Sequence, residues 1–195
     1  MPAISQYALS SGQWWVNLKV QRYSAPDAVD VIMQQWAIQL PDLDVSPVAV
    51  FGRLHRTFVR YQDLISPVVE RHGMTMAMFA VLTALRRSGK PFRLAAGELA
   101  RQTLITTGGM TLRIDKLVQE GLVVRERDAN DGRIVYVRLT PDGVARTEAV
   151  IREHFANERR MLMALSAVEA RQLAQLLSKL EQSLQLAEHL AGRES

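Results

Sequence analysis

The stretch Gly97–Thr140 constrains this chain more than any other part of it. Gly97-Glu98-Leu99-Ala100-Arg101 reads as part of a short helix, about Ala95–Gln102. A few residues later a second helix reads over about Thr106–Glu120 and stops at Gly121, a residue suited to the left-handed position past a helix end. Val123, Val124 and Arg125 begin a strand. Asp128-Ala129-Asn130-Asp131-Gly132 is turn chemistry, and Ile134, Tyr136, Val137 and Leu139 form a returning strand. Helix, tight turn, helix and basic hairpin in that order predict a winged helix-turn-helix. The second helix is narrow enough for a major groove, the first braces it, and the hairpin reaches across the backbone toward the minor groove.

Helical periodicity sorts the second helix into two faces. Met110, Ile114, Leu117 and Val118 share an inward arc, whereas Gly108, Gly109, Leu112 and Lys116 lie opposite, with Thr111 and Arg113 at the boundary. Two glycines in a first helical turn are poor helix formers, and they fit a place where a phosphate or base edge approaches closely. Lys116 is expected to hold a phosphate. Thr107 and Thr111 are expected to bond base edges or backbone, and Leu112 to meet a thymine methyl. On the wing, Arg125, Arg127 and Arg133 supply positive charge. Arg133, after Gly132 at the tip, is the candidate for minor-groove insertion, with Asp128 and Asp131 restraining arginines.

The flanks are helical. Pro26 opens a helix carrying Val29, Ile32, Met33, Trp36 and Leu40, which Pro41 ends. A second runs from about Ser46-Pro47 to Ile65 with Val50, Leu54, Phe58 and Tyr61 in register, and Ser66-Pro67 is expected to break or kink it. Thr75–Arg87 is a third, with Met78, Phe79, Val81, Leu82 and Leu85. Beyond the wing, Thr140-Pro141 caps a helix to about Leu165, and Ser166-x-x-Glu169 is a capping box for a last helix. Its Leu173, Leu176, Leu177, Leu180 and Leu184 repeat at helical spacing. The reading is therefore mainly α with a small β-hairpin wing. Residues 1–24 form an N-terminal extension, 25–65 the N-terminal helices for dimerisation and a ligand pocket, 66–140 the DNA-binding domain, and 141–195 the C-terminal dimerisation helices.

Composition narrows the function. The chain has 195 residues, 48% of them apolar and 23% charged, a globular mix. The net charge of +4 conceals an uneven distribution: residues 53–93 hold eight basic side chains against Asp63 and Glu70. The absence of cysteine excludes disulfides, zinc ribbons and thiol chemistry, including a thiol-oxidation switch. His55, His72, His154 and His189 sit on separate segments without metal-ligand spacing, and no nucleophile elbow or phosphate loop occurs. These features predict a non-enzyme without cofactor or metal. No apolar run spans a bilayer and no secretory signal is evident, so the expected compartment is the cytoplasm.

The order of leucine-x-x-x-Gly-Leu-Val (Leu117–Val123), the Arg125–Arg133 wing and Leu139-Thr140-Pro141-Asp142-Gly143 resembles the MarR family of bacterial transcriptional regulators, over about residues 28–187. The resemblance implies an intertwined homodimer that presents one winged helix to each half of a pseudo-palindromic operator. The C-terminal leucines fit such an interface, joined by Phe155, Met161, Leu162 and Met163. Trp36, Leu40-Pro41-Asp42-Leu43-Asp44 and Gly52-Arg53-Leu54 look like the urate-responsive, PecS-like branch of that family. The branch's ligand-associated positions map to Trp36, Arg113, Arg125 and, in place of its aspartate, Ala80. Alanine can neither accept hydrogen bonds from a heterocycle nor pair with an arginine, which argues against urate. Arg87 shares the face of Ala80, and Met78 adds an apolar wall, so the expected effector is a small anionic aromatic molecule. Trp36 reads equally as a dimer-core aromatic, and a ligand-independent DNA-binding dimer is the alternative.

Overall fold

Two aspartates cap the first described helix. The computed structural model describes residues 26–103, 107–128, 131 and 133–192. The expected extension 1–24 and the tip residues Ala129, Asn130 and Gly132 lie outside these. Helix α1 (Ala28–Gln39) starts where Asp27 Oδ1 accepts from the Val29 and Asp30 amides, while Asp30 Oδ2 accepts from the Asp27 amide. The reciprocal pair satisfies N–H groups that an open helix end leaves without partners. Helix α2 spans Val48–Glu70.

The described residues divide into two compact units, one up to Leu64 and one from Ile65. In the first, Arg53 ties α2 to the start of α1. Its Nε donates to Asp27 Oδ2 (2.9 Å), its Nη2 to Asp30 Oδ1 (2.7 Å) and its Nη1 to the Ala49 carbonyl (3.0 Å). A Cβ on Gly52 would stand 3.1 Å from Val29 Cγ1, so a small residue there lets the helices approach. Partial desolvation raises the Asp27 pKa, but the Asp30 and Val29 amides and the Arg53 guanidinium outweigh it and hold the carboxyl below its usual value. A depressed carboxylate contributes stability above its unfolded pKa and loses it as pH falls through the folded one. Helicity followed from about pH 5 to about pH 2 is therefore expected to fall less steeply in Asp27→Asn than in the wild type, from a lower starting stability. Identical acid limbs would refute this role.

Of the break or kink expected at Ser66-Pro67, the break does not occur, since α2 continues to Glu70. An interior proline costs roughly 3 kcal/mol. The next two residues, Val68 and Val69, are buried, and burying two valines recovers a comparable amount, about 1.5–3 kcal/mol each.

In the second unit, helix α3 (Met76–Arg87), capped by Thr75, lies at the centre of the core. Phe79, Val81, Leu82 and Leu85 are buried with Leu99, Met110, Ile114, Leu117, Val123, Val137 and Val150. Strand β1 (Arg93–Ala95) precedes α4 (Ala96–Thr103) and α5 (Thr107–Gln119). Strands β2 (Val123–Arg127) and β3 (Val135–Leu139) then complete an antiparallel sheet of order β1-β3-β2. The hairpin reading missed β1, a three-residue strand too short to show alternation. Its membership comes from pairing Arg93 with Arg138, Leu94 with Val137 and Ala95 with Tyr136. Gly121 has φ +70°, the left-handed turn anticipated after α5.

Thr140 links the sheet to α6 (Pro141–Met161). Its amide donates to Leu122 O (3.0 Å), its hydroxyl donates to Gly121 O (2.7 Å), and the same hydroxyl accepts from the Gly143 amide (2.9 Å). Helix α6 ends at Met161, short of the expected Leu165. Residues 162–165 form a turn that releases Ser166 to cap α7 (Ala167–Ala191), with the predicted Ser166–Glu169 capping box in place. No described residue of α7 is buried within the chain.

Candidate nucleic-acid interface

Helix α5 has the two faces its periodicity requires. Met110, Ile114 and Leu117 are buried, while Thr111, Leu112 (70% exposed) and Lys116 are open to solvent. Thr107, Gly108 and Gly109 form its first turn. Val118 departs from the expected inward set, being 38% exposed. It sits about 80° around the helix from Met110, at the margin of the buried arc, where the core no longer covers it. Arg113 is half-buried and folded along its own helix, with Nη1 donating to Gly109 O (2.7 Å).

The wing places its arginines by strand alternation. Arg125 opposes Val137 and Arg127 opposes Val135, so both point to the sheet face that carries Val123, Val137 and Leu139. Near the base, that face is core. One step out, the Arg125 guanidinium pairs with Asp115 on α5 and reaches Thr111 O at 3.5 Å. Arg125 thus braces the wing against α5, a partnership that no local pattern around Asp115 announces. Farther out, Arg127 and Arg133 are exposed, and neither they nor Lys116 enter a salt bridge among the described residues. Asp128 Oδ1 accepts from the Asp131 amide (2.9 Å), and Asp131 Oδ1 accepts from the Arg133 amide (3.0 Å). The two aspartates therefore shape the backbone that presents Arg133.

The residues expected at a ligand site fall in both units. In the first, Trp36 is 45% exposed. It lines an open cleft of about 300 Å³ with Leu40, Leu43, Val45 and Pro47, edged by Asp44. In the second, Met78 is a core residue at 2% exposure and Ala80 is half-buried. Arg87 is exposed, its Nε donating to Thr83 O (3.3 Å). Among the described residues no cluster of His, Asp and Glu is placed to hold a metal.

A solvent-facing helix surface with threonine, leucine and lysine, beside two exposed arginines on a braced ribbon, suits a polyanion with readable groove edges. Similar proteins agree with this reading. Residues 72–134 match the MarR family. The transcriptional regulator PecS of Dickeya dadantii is 33% identical over 156 residues, covering 80% of this chain and 94% of that protein. An E. coli MarR variant in complex with operator DNA superposes with a TM-score of 0.60 at 26% identity, over 74% of this chain and 96% of that one. Bordetella bronchiseptica BpsR, in a structure described as explaining regulation of its DNA binding by 6-hydroxynicotinic acid, gives a TM-score of 0.61 at 26% identity. It covers 68% of this chain and 98% of that one. The relative, the family match and the winged helix together place this chain in the MarR family of transcriptional regulators.

Proposed function

We propose that this regulator is a cytoplasmic homodimeric repressor that binds a pseudo-palindromic operator and leaves it when a small anionic aromatic ligand binds. The observation that carries the DNA half is the open outer face of α5 beside the exposed Arg127 and Arg133, which enter no salt bridge among the described residues. Thr111, Leu112 and Lys116 face the major groove from a helix whose first turn, Thr107–Gly109, approaches it, while Arg127 and Arg133 follow the backbone into the minor groove. Arg113 and Arg125 act from behind this surface and transmit the ligand's effect.

The dimer half rests on α6 and α7. Leu173, Leu176, Leu177 and Leu184 are exposed along α7, and Phe155, Leu162 and Met163 (82%) are exposed before it. Apolar side chains left exposed along these two helices support an interface. A two-fold dimer sets its recognition helices about one DNA turn apart, roughly 34 Å. Sedimentation is expected to give twice the 21.9 kDa chain mass. A monomer at micromolar concentration would rule the dimer out.

For the ligand, the first unit offers the aromatic face of Trp36 in its open cleft, and the second unit offers the exposed Arg87 as a counter-charge. The aromatic acid associated with BpsR has this chemistry. A ligand favouring the DNA-incompetent state by about 1.4 kcal/mol weakens operator binding tenfold. The test uses a duplex that the wild type selects from a random-sequence pool, titrated with 6-hydroxynicotinate, salicylate and urate. Release by the two aromatic acids and not by urate, with loss of the response in Trp36→Phe and Arg87→Ala, is expected. Binding indifferent to all three would favour a constitutive repressor.

A further inference from the structure

The face of the sheet opposite Arg125 and Arg127 carries its own charge cluster. Glu126 Oε1 accepts from Arg138 Nε at 2.6 Å, and its Oε2 lies 3.6 Å from Arg93 Nη1. The Arg93 guanidinium stacks over Tyr136 at 4.1 Å from the ring centroid. One carboxylate on β2 therefore reaches both β3 and β1. Without it, Arg93 and Arg138 would be like charges directly opposed across strands, an unfavourable pairing.

Register shows why this position matters. Glu126 opposes Tyr136, and Tyr136 opposes Ala95, where β1 ends. That row is the last with three strands. From the next pair, Arg127 with Val135, the wing continues as a two-stranded ribbon. A two-stranded ribbon is marginal on its own, so its direction depends on how it is held at the root. The Arg138 hydrogen bond keeps the Glu126 carboxyl below its usual pKa, so the anchor is ionised wherever DNA would be bound.

We infer that Glu126 is a positioning residue for DNA binding, anchoring the root of the wing so that Arg127 and Arg133 meet the minor groove in a fixed direction. The inference rests on the DNA-binding reading above. It has an unusual sign, because deleting a negative charge near DNA should on electrostatic grounds alone strengthen binding.

The test measures affinity for the duplex selected by the wild type. Glu126→Gln, almost the same shape, is expected to bind about 5- to 20-fold more weakly. Its melting temperature should stay within about 2 °C of the wild type, since half-exposed ion pairs stabilise folds little. Glu126→Gln combined with Arg127→Ala and Arg133→Ala is expected to bind no more than about twofold worse than Arg127→Ala with Arg133→Ala, because the anchor acts through those two arginines. Equal or tighter binding by Glu126→Gln, or losses that multiply in the combined variant, would overturn the inference. If Glu126→Gln does not fold, Arg138→Lys carries the same test by keeping the charge and losing the fork. Failure of the wild type to select any duplex would instead refute the DNA-binding reading itself.

Discussion

Gly143→Ala is expected to lower the melting temperature by about 10 °C. A Cβ at this position would stand 1.9 Å from the Leu122 carbonyl oxygen and 2.9 Å from its carbon. The obstacle is backbone, which cannot rotate aside as a side chain can. Relief requires α6 to move off the strand, and that movement breaks the junction Thr140 builds. The Thr140 amide bond to Leu122 O and the hydroxyl bond to Gly121 O both depend on the same close approach. Overpacking plus strained hydrogen bonds amounts to about 3 kcal/mol. Thermal unfolding at fixed protein concentration checks it. Gly97→Ala is the companion variant: a Cβ there meets nothing within 4 Å inside α4, so stability should rise by about 0.5–1 kcal/mol. If both variants melt alike, the packing argument at Gly143 is wrong.

The second large effect concerns DNA. Lys116→Ala and Arg133→Ala are each expected to weaken binding by about 1–3 kcal/mol, but with different signatures. Lys116 is a point charge on the outer face of α5, suited to a phosphate. Its removal should weaken all duplexes nearly uniformly and reduce the salt slope by about one per half-site. Arg133 is presented at the wing tip by Asp131, whose carboxylate fixes its backbone amide. Arginine in a minor groove responds to groove width, so Arg133→Ala should cost most on A·T-rich flanks and little on G·C-rich ones. Affinities measured on paired flanking sequences at several salt concentrations separate the two. Flank-independent loss at Arg133 would place that side chain on a phosphate instead.

Both cases show how far local chemistry reaches. The Ser166–Glu169 box, the Thr140 cap and the Gly121 turn were legible because each closes within a few residues, and hydrogen-bond demand at a helix end is local. The inward trio Met110, Ile114 and Leu117 was legible from period alone. Val118 was not, because periodicity gives an angle and the extent of the core decides how wide an arc is covered. Pro67 shows the same limit in reverse. A breaker residue sits inside α2 because burial of Val68 and Val69 offsets its cost, and burial is not a local property.

The order of elements, the basic character of the wing and the family resemblance are written in the residues, since they depend on neighbours within a turn or a hairpin. How the arginines divide their work emerges only from the folded chain. Arg125 is committed to Asp115, Arg138 and Arg93 to Glu126, and Arg127 and Arg133 are exposed without a salt bridge among the described residues. Those assignments depend on which strand lies beside which and on the face each side chain takes. Strand pairing joins residues far apart in the chain, and a one-residue change of register would exchange the two faces of the wing.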